Sequence, residues 1–122
     1  MIKKFNEYKK YKKYYKVVTE DLKSLGLRKN PNIMTFPINK WVYEPHPTKG
    51  DGGYGGTGGI WVANGLSAGK GLIKYMKKKS YKENNPYYYR CRLFEVEIGD
   101  ILYSNSYRTK TNKVKLLKEI II

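Results

Sequence analysis

Residues 88–98, YYRCRLFEVEI, form the longest strand-like stretch of the chain. Aromatic and β-branched residues are frequent in it, as is typical of β-strands. Its apolar alternation slips near Leu93 and Phe94, which predicts a β-bulge there. Cys91 lies among apolar neighbours and is predicted to belong to the core. Gly99 and Asp100 then turn the chain.

Further elements lie on both sides of this stretch. Short β-rich runs predict strands at residues 14–18, 40–44, 60–63, 101–103 and 114–121. The polar segment 104–111, which contains Arg108, is predicted to be a loop. Ser67 is expected to cap a helix at 67–79, with Leu66, Ile73 and Met76 on its apolar face. Thr19 is expected to cap a turn that follows the first strand.

These elements predict an α+β fold. It consists of a twisted, mostly antiparallel sheet, one main helix at about 67–79 and a mobile glycine-rich loop at about 48–59. Residues 15–122 are predicted to form a single domain, since a chain of 122 residues has the length of one domain. Residues 1–14 are predicted to form a basic Lys/Tyr arm or helix outside it.

Composition narrows the classes of function. The chain has 25 Lys and Arg against 10 Asp and Glu, a net charge of +15, and 15% aromatic residues, so a wholly disordered chain is not expected. No apolar run reaches transmembrane length and no signal peptide is evident, which favours the cytoplasm (of a host cell, if the protein is viral) and no membrane partner. The single cysteine gives no disulfide framework. No cofactor is predicted.

The basic residues are the main functional signal. They concentrate at 3–16, 70–79 and 108–118, with tyrosines interleaved at 8–15 and 81–92. Cations neutralise phosphates and tyrosines stack on unpaired bases, so the pattern favours nucleic acid, particularly RNA or single strands, or a host nucleoprotein. The predicted contacts are Lys9, Lys10, Lys12, Lys13, Lys74, Lys77, Lys78, Arg90, Arg92 and Arg108.

The segment 45–59, PHPTKGDGGYGGTGG, contains strings that match a dinucleotide-binding fingerprint. The loop leads into a strand, however, and not into the helix that such a site requires. Two readings remain, a simple flexible surface loop and a loop whose backbone amides wrap an anion or nucleotide. The residues of that second reading are Lys49, Gly52, Gly53, Gly55 and Gly56.

Two further features bear on chemistry. His46 is the only histidine and has no Cys or His neighbour in sequence, so no metal site is predicted. Glu95 and Glu97 lie two residues apart on one strand face. They are either a pair for acid–base catalysis or a solvated face that pairs with lysines and arginines.

The order of short motifs resembles a group of small uncharacterised domains of phages, giant viruses and bacteria, often found beside pentapeptide repeats. The matching pieces include Tyr15-Lys16-Val17-Val18, Gly59-Ile60-Trp61-Val62-Ala63 and Phe94-Glu95-Val96-Glu97. The resemblance covers about residues 15–121. It implies a mostly β fold with one main helix and implies no activity.

The strand–helix–strand order is also distantly similar to mono-ADP-ribosyltransferase folds. That resemblance implies that Glu95 or Glu97 acts on NAD. The first strand lacks the Arg or His of those enzymes, although Arg28 follows it.

Three functions therefore stay open. The first is a small basic viral or mobile-element accessory protein that binds nucleic acid or a host nucleoprotein and interferes with host defence. The second is an ADP-ribosyltransferase-like or nucleotide-binding domain. The third is a protein–protein interaction module with Trp41 and Trp61 at its interface.

Overall fold

The computed structural model of the chain describes residues 13–25, 33–44, 59–83 and 90–121. In chain order the elements are β1 (Tyr14–Val18), β2 (Trp41–Tyr43), β3 (Ile60–Asn64), α1 (Leu66–Glu83), β4 (Arg92–Ile98), β5 (Ile101–Ser104), β6 (Arg108–Thr111) and β7 (Lys113–Ile120). The strands form one sheet with the order β2-β7-β4-β1-β3-β6-β5, and neighbouring strands are antiparallel. The predicted α+β class with an antiparallel sheet is confirmed for this part of the chain, and the sheet dominates it. The predicted glycine-rich loop lies outside the described residues, apart from Gly59.

The last four strands are a single long hairpin with a bend in the middle. Ile98 pairs with Val114 and Ile101 pairs with Thr111, so the register continues across the bend. At the bend, the backbone N–H of Gly99 donates to the carbonyl of Lys113. A β-carbon on Gly99 would collide with the side chain of Asn112, and this close approach explains why glycine stands there.

This bend rolls the sheet. In a flat sheet, β6 and β7 would be separated by four interstrand steps, about 19 Å. Asn112 alone joins the end of β6 to the start of β7, so the two regions of the sheet must curl toward each other. The rolled sheet consequently has an inner face and an outer face.

The two faces carry separate apolar clusters. The inner cluster consists of Tyr14, Val18, Phe36, Ile60, Val62, Phe94, Val96, Val114 and Leu116. The helix-side cluster consists of Tyr15, Val17, Ala63, Ile73 and Leu93. Alternate residues of β1 and β4 thus enter different clusters, as the two-residue period of a strand requires.

Helix α1 covers part of the outer face. Ile73 and Met76 are buried, as predicted for the apolar face of the helix, whereas Leu66 at its start is exposed and does not belong to that face. Gly69 brings the helix close to the sheet, since a β-carbon there would lie 2.9 Å from Leu93 Cδ1 and 3.3 Å from Tyr15 Cβ. The helix is longer than predicted, and its first turn closes on the carbonyl of Gly65. The predicted Ser67 cap is therefore wrong.

The predicted loop at 104–111 is also wrong in its second half, which forms β6. Thr109 and Thr111 are fully buried. The Thr109 hydroxyl donates to Asn64 Oδ1 at 2.6 Å, and that of Thr111 accepts from the Gly99 N–H at 3.1 Å. Hydrogen bonds within the sheet therefore replace the water that such a polar segment would otherwise need.

The β4 strand corrects two further details. It begins at Arg92, so Cys91 precedes the strand and is only half-buried. The register shift lies between Glu95 and Val96, and not at 93–94. Leu93 and Phe94 are both buried because they face the two different clusters, so the slipped pattern requires no bulge at that point.

Candidate nucleic-acid interface

The solvent side of α1 carries a stripe of lysines. Its members are Lys70, Lys74, Lys77 and Lys78, and all four are exposed. Their spacing of four, three and one residues keeps them within about 100° of the helix circumference, on the side away from Met76. We call these four residues the lysine stripe. Residues 66–79 contain no Asp or Glu, so the part of the helix that carries these lysines supplies no carboxylate to neutralise them. The acidic residue of the helix is Glu83, at its C-terminal end.

Five carboxylates elsewhere in the described part are paired with other cations, namely those of Glu20, Asp21, Glu95, Glu97 and Glu119. Lys13 lies 3.6 Å from Glu95, and Lys115 lies 3.7 Å from Glu97. Lys70, Lys74 and Lys78 form no ion pair within the described residues. These three lysines consequently present positive charge to solvent.

The predicted contacts on β4 are engaged with the protein itself. The guanidinium of Arg92 donates to both carboxylate oxygens of Glu119, at 2.8 and 3.0 Å, and to the carbonyl of Glu20 at 3.2 Å. These hydrogen bonds raise the pKa of Arg92 and hold the pKa of the Glu119 carboxyl below its usual range. Arg90 lies just before the strand and pairs with Glu20 at 3.5 Å. Arg92 is therefore less available to an external anion than the lysine stripe.

Arg108 lies at the start of β6, opposite Ala63 of β3. Its guanidinium carbon is 4.0 Å from the centroid of the Trp61 ring. Tyr103 meets the same indole edge-on, with the ring centroids 5.9 Å apart. Arg108, one of the predicted nucleic-acid contacts, thus forms a cation–π interaction with Trp61.

Glu95 and Glu97 lie on the outer face of β4, opposite the buried side chains of Phe94 and Val96. Each carboxylate has a lysine beside it, as the second of the two sequence readings expects. The Glu97 side chain is 55% exposed. Their use in catalysis stays a prediction.

The sequence did not identify Lys113 and Lys115 as individual contacts. The pairing of β2 with β7 places these two lysines beside Trp41 and Tyr43. Lys113 Nζ is 4.5 Å from the Trp41 centroid, and Lys115 Nζ is 5.0 Å from it. Sequence alternation indicates that Trp41 and Tyr43 share a face. The sequence does not predict the pairing of β2 with β7, which brings the two lysines to that face.

Lys16, the lysine of β1, is buried, with 9% of its surface exposed. It points to the inner face with Tyr14 and Val18. Its ammonium donates to the carbonyl of Trp61 at 2.8 Å, beyond the point where the β1–β3 ladder ends. Nζ also lies 5.0 Å from the centroid of Phe36. Burial lowers the pKa of Lys16 to about 8.

A small cavity of about 190 Å³ lies between α1 and the ends of β4 and β7. Its lining includes Ile73, Cys91, Leu93 and Ile120. Burial raises the pKa of the Cys91 thiol to about 11, so the thiol is protonated at neutral pH. This environment is that of an inert cysteine and not of a nucleophile.

Several predicted site residues lie outside the described residues. They are Lys9, Lys10, Lys12, Lys49, Gly52, Gly53, Gly55 and Gly56, and His46 lies outside the described residues as well. Among the described residues, no three His, Cys, Asp or Glu side chains come together as a metal site. Within those same ranges, no helix combines the length and the apolar character needed to cross a membrane.

Comparison of the chain with protein-family models, with curated proteins and with solved structures finds no match. The resemblances to phage domains and to ADP-ribosyltransferases therefore stay predictions.

Proposed function

We propose that the protein binds nucleic acid, and that the lysine stripe of α1 is the principal contact in the described part. The observation that carries the proposal is a row of exposed lysines on a helix whose residues 66–79 include no carboxylate. Lys70, Lys74 and Lys78 repeat every four residues, so their backbone positions are about 6 Å apart along the helix axis. Such a row of point charges suits a regular polyanion.

The distribution of charge supports a polyanion over an isolated acidic group. The 25 Lys and Arg residues are spread over the whole chain, and their excess over the 10 Asp and Glu leaves a net charge of +15 whichever ion pairs form. Each lysine that meets a phosphate releases counterions, which makes binding strongly dependent on salt and weakly dependent on sequence. Arg108 on the outer face extends the positive surface beyond the helix.

The test is the salt dependence of binding, measured by fluorescence anisotropy with a labelled oligonucleotide. Lys74→Gln combined with Lys78→Gln is expected to weaken binding and to flatten the plot of log affinity against log salt by about 1.4–1.8 units, since each phosphate contact contributes about 0.7–0.9.

The matched control is Lys23→Gln combined with Lys118→Gln, which removes the same net charge. Lys23 pairs with Asp21 in the turn after β1, and Lys118 lies on β7, whereas α1 packs on β1, β3 and β4. The control is expected to leave most of the slope intact. Equal loss from the two double variants would refute a localised contact on α1, and no binding at low salt would refute the proposed function itself.

A further inference from the structure

An aromatic pair stands on the outer face of the sheet, away from α1. Trp41 and Tyr43 lie two residues apart on β2, so both side chains project from the same face. Val42 between them pairs with Val114 and packs against the inner cluster. This packing fixes the direction of the aromatic pair. Tyr43 is 59% exposed.

Two lysines border the pair. Lys113 Nζ lies 4.5 Å from the Trp41 centroid and 5.4 Å from the Tyr43 centroid, so one ammonium contacts both rings. Lys115 Nζ lies 5.0 Å from Trp41. We call Trp41, Tyr43, Lys113 and Lys115 the aromatic platform.

We propose that the aromatic platform binds an unpaired base of a single-stranded nucleic acid, with the adjoining phosphate at Lys113 and Lys115. This inference rests on the proposed function and names its substrate class. The Cα atoms of strand residues two apart are separated by about 6.6 Å. This spacing is close to what a planar base needs when one aromatic ring stacks on each of its faces. Aromatic rings bind bases of any sequence because every base has a stacking face.

Duplexes do not offer that face, because their bases are already stacked on one another. Charge complementarity favours the same ligand, since the two ammonium groups beside the rings can meet the phosphate of a nucleotide whose base is bound there. Glu97 lies 3.7 Å from Lys115 and offsets part of its charge. Removing that carboxylate should therefore strengthen binding of a single strand.

Trp41 itself can report on the contact. The chain has two tryptophans, so Trp61→Phe leaves Trp41 as the only one. Short oligothymidylate is expected to quench its fluorescence on saturation, whereas a hairpin duplex with the same number of phosphates leaves the fluorescence unchanged. In the matched Trp41→Phe variant, which retains Trp61, oligothymidylate should cause no quenching.

Affinities provide the second measurement and cover the case in which a tryptophan variant fails to fold. Tyr43→Leu replaces a mostly exposed side chain, and it is expected to weaken binding of oligothymidylate by about 5- to 100-fold while leaving duplex affinity unchanged. Tyr107→Leu is the control, because Tyr107 is 73% exposed in the turn at the far end of the hairpin. Glu97→Gln is expected to raise affinity for the single strand about twofold to threefold.

The outcomes separate the two proposals. Salt-dependent anisotropy without Trp41 quenching, and without an effect of Tyr43→Leu, would overturn the platform and leave nucleic-acid binding by α1 standing. Absence of any anisotropy change at low salt would overturn both.

Discussion

Lys16 gives the protein a specific dependence of stability on pH. Its ammonium is buried beside Phe36, and its hydrogen bond goes to the uncharged carbonyl of Trp61. Desolvation is the cause of its lowered pKa, about 8 against 10.5 for the exposed group. We expect Lys16→Met to remove this dependence, since methionine has a similar length and no charge.

The sign follows from proton binding. Between about pH 8 and pH 10.5 the unfolded chain holds the proton on Lys16 and the folded chain releases it, so the Lys16 contribution to the free energy of unfolding increases with pH. Below about pH 8 both states are protonated, and the cost of burying the charge is fully present. A pKa difference of 2.5 corresponds to a total of about 3 kcal/mol, of which about 1.4 kcal/mol is regained between pH 7 and pH 9.

The assay is urea unfolding of the wild type and of Lys16→Met at a series of pH values from about 7 to 9.5. Cys91 titrates with the opposite sign above about pH 9, because its pKa is higher in the folded state than in the unfolded state. Cys91 is present in both proteins, so its contribution cancels when the free energy of unfolding of Lys16→Met is subtracted from that of the wild type. The free energy of unfolding of the wild type should therefore increase by about 1.4 kcal/mol relative to that of Lys16→Met from pH 7 to pH 9. A difference that is flat with pH would show that Lys16 is solvated or paired in the folded protein, and would refute the account.

Two further predictions concern the helix-side cluster. Cys91 should alkylate about 100-fold more slowly in the folded protein than in urea at pH 8, because its raised pKa leaves about a hundredth of the usual thiolate; equal iodoacetamide rates would contradict its placement. Gly69→Ala should destabilise the protein by about 1–3 kcal/mol relative to Gly71→Ala, because the new methyl group meets Leu93 and Tyr15 whereas Gly71 faces open space. Gly71→Ala should itself stabilise the protein by about 0.5–1 kcal/mol in urea unfolding, because alanine has the higher helix propensity. Equal stabilities of the two alanine variants would mean that α1 does not approach the sheet at Gly69.

The sequence predicts the helix and most strands because their apolar residues follow the periods of 3.6 and 2. It fails at β6, where Thr109 and Thr111 are buried with their hydroxyls satisfied by Asn64 and Gly99. A hydropathy pattern cannot register hydrogen bonds supplied from elsewhere in the sheet. The burial of Lys16 is equally hidden from the sequence, because nothing in the basic stretch 3–16 distinguishes this lysine from the other lysines there until the strand face it occupies is known.

In the candidate site, too, features local to one element are predictable from the sequence, and features that depend on strand pairing are not. The lysine stripe is local to one helix, so the sequence could predict three of its members, Lys74, Lys77 and Lys78; Lys70 was not among the predicted contacts. The aromatic platform requires the pairing of β2 with β7, two segments that are distant in the chain. The charge of Arg92 predicted a contact with nucleic acid. Its guanidinium is instead hydrogen-bonded to Glu119, and only the register of β4 on β7 identifies this partner.

The central claim is that the lysine stripe of α1 binds a polyanion, and the salt slope tests it most directly. We predict that log affinity for a labelled oligonucleotide falls linearly with log salt from about 50 mM to 200 mM, and that Lys74→Gln with Lys78→Gln flattens the line by about 1.4–1.8 units. The Lys23→Gln and Lys118→Gln control should retain the wild-type slope. Parallel lines for the wild type and the α1 variant would contradict the claim.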